Sequence, residues 1–378
     1  MRRACIVAAL ALAALVPPSS GAADGVLRTL VIRLTWNAAP VSDVATIQRE
    51  SRAADDYLRR ASFGHLGIST EVTPVIDGFK VPNGCFSSPP GPSPGMGAFA
   101  GAARSAADAL GYDMESYDRF VYLTPDRVCG AGGLGFAHDI LLAGTGFEAG
   151  GFIHEFGHTL GLPHAGSAGC ATCIVREYGD TFTPMGHGVG DFSAWEKNRL
   201  GWLAADVRRT DTAGRYEIAA SDAPSTMPQA LVVPAAAGEL WIEQLTSPQV
   251  IVRVVRQGRT VLLAADAHRA VVRGLVAVTL VSATELELAW LDKTPPSRPK
   301  LVSASSSGGT ALLIWRRASD GGSGVRGYRI RVDGRLTRAA DGTFAVLHVA
   351  PGRHALALTA IDRAGNESAP TLARSGRR

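Results

Sequence analysis

The sequence predicts a multidomain chain: an α/β (α+β) domain, then a β-sandwich-like domain, then a second β-sandwich. Three observations carry this. The 378 residues are too many for one ordinary domain. The first half alternates β-branched runs with stretches of helical period, whereas from about Val207 to Leu291 only short apolar or alternating runs occur. Last, Thr294-Pro295-Pro296-Ser297-Arg298-Pro299 is a stiff, proline-rich linker. The expected division is an N-terminal segment 1–23, then 24–205, 206–292 and 293–378.

Met1-Arg2-Arg3, the apolar run Ala4 to Val16 and the small residues up to Ala23 have the layout of a cleaved secretory signal peptide. The run is shorter than the roughly 20 residues a membrane-spanning helix needs. The mature chain is therefore expected outside the cytoplasm, extracellular or periplasmic, with no transmembrane span. Removing 1–23 deletes Arg2 and Arg3 and no acid, so the formal charge falls from +4 to +2. The basic residues are scattered, which excludes a nucleic-acid-binding tail. Four cysteines remain: Cys85, Cys129, Cys170 and Cys173. An even count in an exported chain favours disulfides, with Cys85–Cys129 and Cys170–Cys173 preferred among the three pairings available. Metal binding or disulfide exchange is the other use of Cys170-x-x-Cys173.

In chain order, Val26 to Leu34 reads as a first strand. From Val41 to Arg60 the apolar positions Val44, Ile47, Ala54, Tyr57 and Leu58 fall at helical spacing, with Ser42 as candidate N-cap. Leu66 to Ile76 is a strand, and Ser87 to Gly97, rich in Pro, Gly and Ser, is a loop. A helix over Ala98 to Leu110, a strand at Arg119 to Leu123, a loop at Gly130 to Gly135 and an apolar run Ile140 to Ala143 follow. Beyond Trp202 the runs Ala230 to Val233, Val250 to Val255, Val261 to Ala264 and Leu275 to Val281 read as strands of a sandwich or barrel.

After the linker, Leu312 to Trp315, Gly327 to Val332, Phe344 to Val349 and His354 to Ile361 are short strands. Asp320-Gly321-Gly322, Asp333-Gly334 and Asp341-Gly342 punctuate them. Trp315, Tyr328 and the closing Ala360-Ile361-Asp362-Arg363-Ala364-Gly365-Asn366-Glu367-Ser368 make this portion resemble a fibronectin type III domain, with Leu356 where many members carry tyrosine. Such modules bind or space, so a cell-surface, matrix or glycan contact is expected of the C-terminal β-domains.

The chemistry sits in His154-Glu155-Phe156-Gly157-His158-Thr159-Leu160-Gly161-Leu162-Pro163-His164. On a helix beginning near Glu148, His154 and His158 project from one face and can share an ion. A catalytic zinc takes three protein ligands and keeps one position for water. His164 can be the third ligand if the helix stops and the chain turns back, which Gly161 makes easiest. Pro163 discourages the helix from resuming. The expectation is one Zn2+ on His154, His158 and His164, with Glu155 taking a proton from the polarised water.

The pattern H-E-x-x-H-x-x-G-x-x-H resembles the signature of metzincin peptidases. The segment Tyr178 to Gly186 and then Asp191 to Trp202 are similar to the gametolysin family of that clan, a likeness covering about 26–203. The resemblance implies Met185 as the methionine turn beneath the metal, and a mixed sheet with helices. It further implies a closing helix near Phe192 to Leu200, and endopeptidase activity on an extended protein or peptide substrate along a sheet edge. His187 and Tyr178 are candidates for oxyanion or second-shell contacts. The resemblance does not carry over an inhibitory pro-segment, since the first strand follows soon after residue 23. His138-Asp139 is a candidate second-shell pair, while His65, His268, His348 and His354 lack ligand spacing. No calcium-binding loop is visible. A secreted adhesion protein with a residual zinc site is the rival from another class; a peptidase of the immune-inhibitor type is the rival within the enzymes, against which His164 speaks.

Overall fold

The computed structural model describes residues 24–36, 40–82, 94–128, 132–144, 146–307 and 309–375. The signal-peptide reading of 1–23 and the pairing of Cys85 with Cys129 lie outside them.

The N-terminal unit is a five-stranded sheet ordered β2-β1-β3-β5-β4. Its strands are β1 (Gly25–Leu34), β2 (Leu66–Ile76), β3 (Arg119–Thr124), β4 (Gly133–Phe136) and β5 (Asp139–Ala143). Only β4 runs antiparallel to its neighbour. Successive residues of β1 are buried on opposite faces, Leu30, Ile32 and Leu34 in one core and Val31 in the other. Burial on both sides explains why the strand reads as a continuous apolar run. Helices α1 (Val44–Ala61) and α3 (Ala149–Thr159) cover one face, and α2 (Pro94–Asp108) covers the other.

Three local expectations change. The N-cap of α1 is Asp43, whose carboxylate accepts from Thr46 N at 2.8 Å, and not Ser42. Ser42 Oγ instead accepts from Phe147 N at 3.0 Å, tying the start of α1 to the loop before α3. The proline-rich loop ends by Pro94, because a proline whose N–H is not needed suits a first helical turn. The glycine-rich stretch expected as a loop contains strand β4, since pairing with β5 satisfies its backbone without side chains.

Closing this unit is α4 (Ala194–Arg199), shorter than the segment expected. Ser193 and Glu196 form a reciprocal capping box. Glu196 is wholly buried; one carboxylate oxygen accepts from Ser193 N and Thr183 Oγ1, both at 2.7 Å, and the other has no partner among the described residues.

Downstream, β6 (Gly166–Ser167), β7 (Arg208–Arg209), β8 (Gly214–Glu217), β9 (Leu231–Ala235), β10 (Gly238–Leu245), β11 (Gln249–Arg256), β12 (Arg259–Asp266), β13 (Arg269–Val272), β14 (Val276–Ser282) and β15 (Glu285–Trp290) make two sheets. Their orders are β6-β12-β11-β10-β9-β7 and β13-β14-β15-β8, around a shared core that includes Ile242, Val252, Val278 and Leu288. The short strand β6 thus leaves the histidine loop to join the later sheet, parallel to β12.

The C-terminal strands are β16 (Lys300–Ser307), β17 (Thr310–Arg316), β18 (Val325–Val332), β19 (Arg335–Ala340), β20 (Phe344–His348), β21 (His354–Asp362) and β22 (Thr371–Ser375). They form a three-stranded sheet, β16-β17-β20, and a four-stranded sheet, β19-β18-β21-β22, the layout of a fibronectin type III sandwich. Trp315 stacks edge-on to Tyr328 at 5.2 Å, and Leu356 fills its core place as a buried aliphatic residue. The linker and the residues just before it are stitched to this sandwich: Ser297 N donates to Ser319 O, and Asn366 Nδ2 to Asp292 O. Asp292, Asp320 and Asp362 bring one carboxylate oxygen each within 4.8 Å of the others, a grouping the sequence did not flag. Among the described residues no helix is long and apolar enough to cross a membrane.

Burial raises the Glu196 carboxyl to about 7, with the Thr183 hydrogen bond and Arg253 opposing. Between an unfolded value near 4.5 and this one the native state holds the extra proton, so stability falls as pH rises through that window. A displacement of this size is worth roughly 3 kcal/mol. Glu196→Gln is expected to flatten that decline, gaining stability over the parent at pH 8 and not at pH 4.5. Urea unfolding at the two pH values checks it, and parallel curves for both proteins would count against it.

Candidate active site

Helix α3 buries Phe152, Ile153, Phe156 and Gly157 and turns His154, Glu155 and His158 the other way. Its glycine-rich start has poor intrinsic propensity, so packing of Phe152 between Phe147 and Phe156 holds the helix in place. It stops in a Schellman turn: Gly161 N donates to His158 O at 2.9 Å and Leu162 N to Gly157 O at 3.1 Å. Gly161 has φ of +83° and open space around it, so its requirement is conformational. The reversal delivers His164.

The three imidazoles converge, with ring centroids 4.9 Å (His154–His158), 4.6 Å (His158–His164) and 5.4 Å (His154–His164) apart. One nitrogen from each lies within 4.8 Å of the others. Every Nδ1 has an acceptor: Pro184 O at 2.6 Å for His154, Leu162 O at 2.8 Å for His158, and a Glu177 carboxylate oxygen at 3.0 Å for His164. With the Nδ1 proton donated, the lone pair is left on Nε2, the tautomer a metal needs. Burial pushes His154 down to about 4 and lowers His158 as well, so both rings stay neutral. The donor set therefore fits a divalent metal of the zinc type.

Glu155 lies against β4. Burial raises its carboxyl to about 7, while the Gly135 N–H bonded to it pulls the other way. A Cβ on Gly133 would stand 2.3 Å from Glu155 Oε1, and one on Gly135 only 1.9 Å from the Glu155 carbonyl. These glycines let an edge strand lie directly on the helix that carries the acid.

Met185 is fully buried beneath this face, its sulfur where a Cβ on Gly157 would fall. Tyr178 reaches the site, its ring 4.0 Å from that of His164, at a φ of +56° that is uncommon for an aromatic residue. Its hydroxyl is pushed up by burial and by Glu177 and Glu155. His187 is exposed; its backbone N–H bonds Asp180 O, and among the described residues no contact joins its ring to the other histidines. His138 bonds Arg119 and Asp118 O, and Asp139 bonds Arg104 and Tyr122, so this pair faces away from the imidazoles. His65 and His354 pair with Asp24 and Asp333 at the surface. Sequence reasoning missed Glu177, whose only signal was an acid one position before Tyr178. Cys170 and Cys173 form a disulfide, with Cα atoms 5.1 Å apart, in the loop between His164 and Met185.

The two kinds of glycine separate experimentally. Gly161→Ala is expected to cost about 1–2 kcal/mol in unfolding by strain alone. Gly135→Ala must move the backbone of α3, so its loss of peptidase activity should exceed what its change in melting temperature explains. Equal, small effects of the two substitutions on activity would refute this assignment.

Among curated proteins no sequence matches the chain. Among solved structures, the spore cortex lytic enzyme SleM of Clostridium perfringens aligns at 18% identity and a TM-score of 0.21, over 25% of this chain and 34% of that one. The structure of FN3tt mut aligns at 25% identity and 0.18, over 22% of this chain and 96% of that one. Chitinase ChiA74 of Bacillus thuringiensis aligns at 24% identity and 0.21, over 22% and 13%. At such TM-scores none of the three bears on fold or activity. The family described as Gametolysin peptidase M11 matches residues 55–260, more than half of the chain, and takes in the three histidines, Glu155, Met185 and the strands from β2 through β11. The chain belongs to the gametolysin family of peptidases.

Proposed function

We propose that the protein is a zinc-dependent endopeptidase that hydrolyses peptide bonds in proteins outside the cytoplasm, with Glu155 as general base. The observation that carries this reading is the set of three imidazoles with every Nδ1 engaged and an acid on the adjoining face of the same helix. His154, His158 and His164 would hold one zinc ion. When bound, zinc supplies Lewis-acid polarisation of water and of the scissile carbonyl. Glu155 accepts the proton released by the attacking water and returns it to the departing amine. A carboxyl raised towards neutrality by burial suits both halves of that transfer.

The free side of β4 is the place for an extended substrate. Backbone pairing there adds affinity without dictating sequence, and Gly133 and Gly135 leave the approach to Glu155 clear of side chains. Tyr178 is assigned to the developing oxyanion in preference to His187, because only its ring touches the histidines. Met185 serves as the floor of the site. The N-terminal signature and the Cys170–Cys173 disulfide favour an oxidising compartment. Among the described residues the C-terminal sandwich adds no side chain to the site, and it is assigned to contact with a surface, matrix or glycan.

Glu155→Gln is expected to fold, retain zinc by elemental analysis and lose about 10²–10⁴-fold in kcat/KM on a peptide substrate. Casein cleavage by the parent should stop with 1,10-phenanthroline and return with added zinc. Cleavage by Glu155→Gln at the parent's rate would overturn the reading.

A further inference from the structure

We propose that Arg253, on β11, is a positioning residue for the metal centre, so that the strands after residue 206 are a working part of the peptidase; this rests on the zinc reading above. Arg253 is 2% exposed and clasps Asp180 with two nitrogens, Nε to Oδ2 at 2.6 Å and Nη2 to Oδ1 at 3.3 Å. Its remaining nitrogen, Nη1, donates to Glu243 on β10.

Asp180 in turn holds the two loops that finish the site. Its N–H reaches Ala165 O at 3.4 Å, beside His164, and its carbonyl accepts from His187 N at 2.7 Å, just past Met185. Ala165 N donates to Met185 O at 2.8 Å, closing the circuit between the loops. Gly186 packs so tightly on Asp180 that a Cβ there would lie 2.1 Å from the Asp180 carbonyl. Pro184 O, the acceptor for His154 Nδ1, sits in the same turn. A shift of Asp180 therefore moves the neighbour of one proposed zinc ligand and the orienting group of another together.

Two further ties run the same way. The second oxygen of Glu243 accepts from Ala194 N at 2.7 Å, at the start of α4, and from Ser221 Oγ at 2.6 Å. Ala168 N, in the loop after His164, donates to Leu262 O on β12 at 2.9 Å. For stability alone, a buried arginine between two carboxylates gains little over well-packed apolar residues. What it supplies is direction: a planar fork fixes the carboxylate it holds in a way that apolar packing or a lysine cannot.

The test uses the full chain. Arg253→Met alone strands two buried carboxylates and is expected to misfold, so the informative protein is the triple variant Asp180→Asn, Glu243→Gln, Arg253→Met, which removes all three charges at once. Arg253→Lys, which keeps the charge and loses the fork, is its companion. Zinc affinity by chelator competition, kcat and KM measured separately, and urea midpoints are read for each. Both variants are expected to lose about 10–100-fold in zinc affinity, the usual effect of disturbing groups that orient metal ligands. Loss of kcat should accompany this with KM near the parent's. Zinc affinity and kcat equal to the parent's in Arg253→Lys would overturn the proposal, as would the same result in a folded triple variant. A parent that failed to bind zinc would instead sink the zinc reading itself.

Discussion

Three imidazoles offer lone pairs to one centre when each carries its proton on the far nitrogen, and an acceptor for that proton fixes both the tautomer and the direction of the ring. That requirement organises the structure around the site. The three acceptors come from different places: the carbonyl of Pro184 in the methionine turn, the carbonyl of Leu162 in the helix's own terminating turn, and the Glu177 carboxylate on the path between them. A helix that ran on past Thr159 would offer Leu162 O to its own ladder and carry His164 away from the other rings. Burial contributes in the same sense by disfavouring imidazolium at His154 and His158. The neutral, oriented state is thus set by hydrogen bonding and desolvation together, before any ion arrives.

The second constraint is closeness between a sheet edge and a helix. Strand β4 approaches α3 to the point where Gly135 meets the helix backbone, while alternate residues Leu134 and Phe136 pack toward the α2 side. One short strand therefore faces two ways, apolar towards the core and bare towards Glu155. Gly157 plays the same part on the underside of α3, admitting the Met185 sulfur. Small residues here govern distance, and distance governs which polar groups can meet.

The histidine signature was legible because its geometry is local: spacing within one helix and one turn decides it. Strands β1, β2, β3 and β5, helix α3 and the strands of the C-terminal sandwich around Trp315 and Tyr328 were legible for a related reason, since their burial imposes continuous or alternating apolar patterns. What escaped depends on partners remote in sequence or on polar surfaces. Strand β4 is only four residues, two of them glycine, and β16 and β19 are largely exposed, so none shows a pattern of its own. Ser42 and Asp43 are both good cap residues; Asp43 takes the helix and Ser42 the distant Phe147 N–H, a partner that the local sequence does not announce. Glu177 and Asp180 share one loop, but Glu243 and Arg253 lie in a later segment, and nothing around either pair marks it as the neighbour of the other.

The clasp of Asp180 by Arg253 joins residues 73 positions apart. A chain emerging from its N-terminus has all three histidines, Glu155 and Met185 in hand well before it acquires the arginine that steadies the loops between them. Helix α3 and its terminating turn need only nearby residues, whereas the clasp and the β6–β12 pairing must wait for closure of long loops. The three imidazoles are thus gathered by local structure, whereas the contacts that hold the loops around them close the longer stretches of chain to β11 and β12.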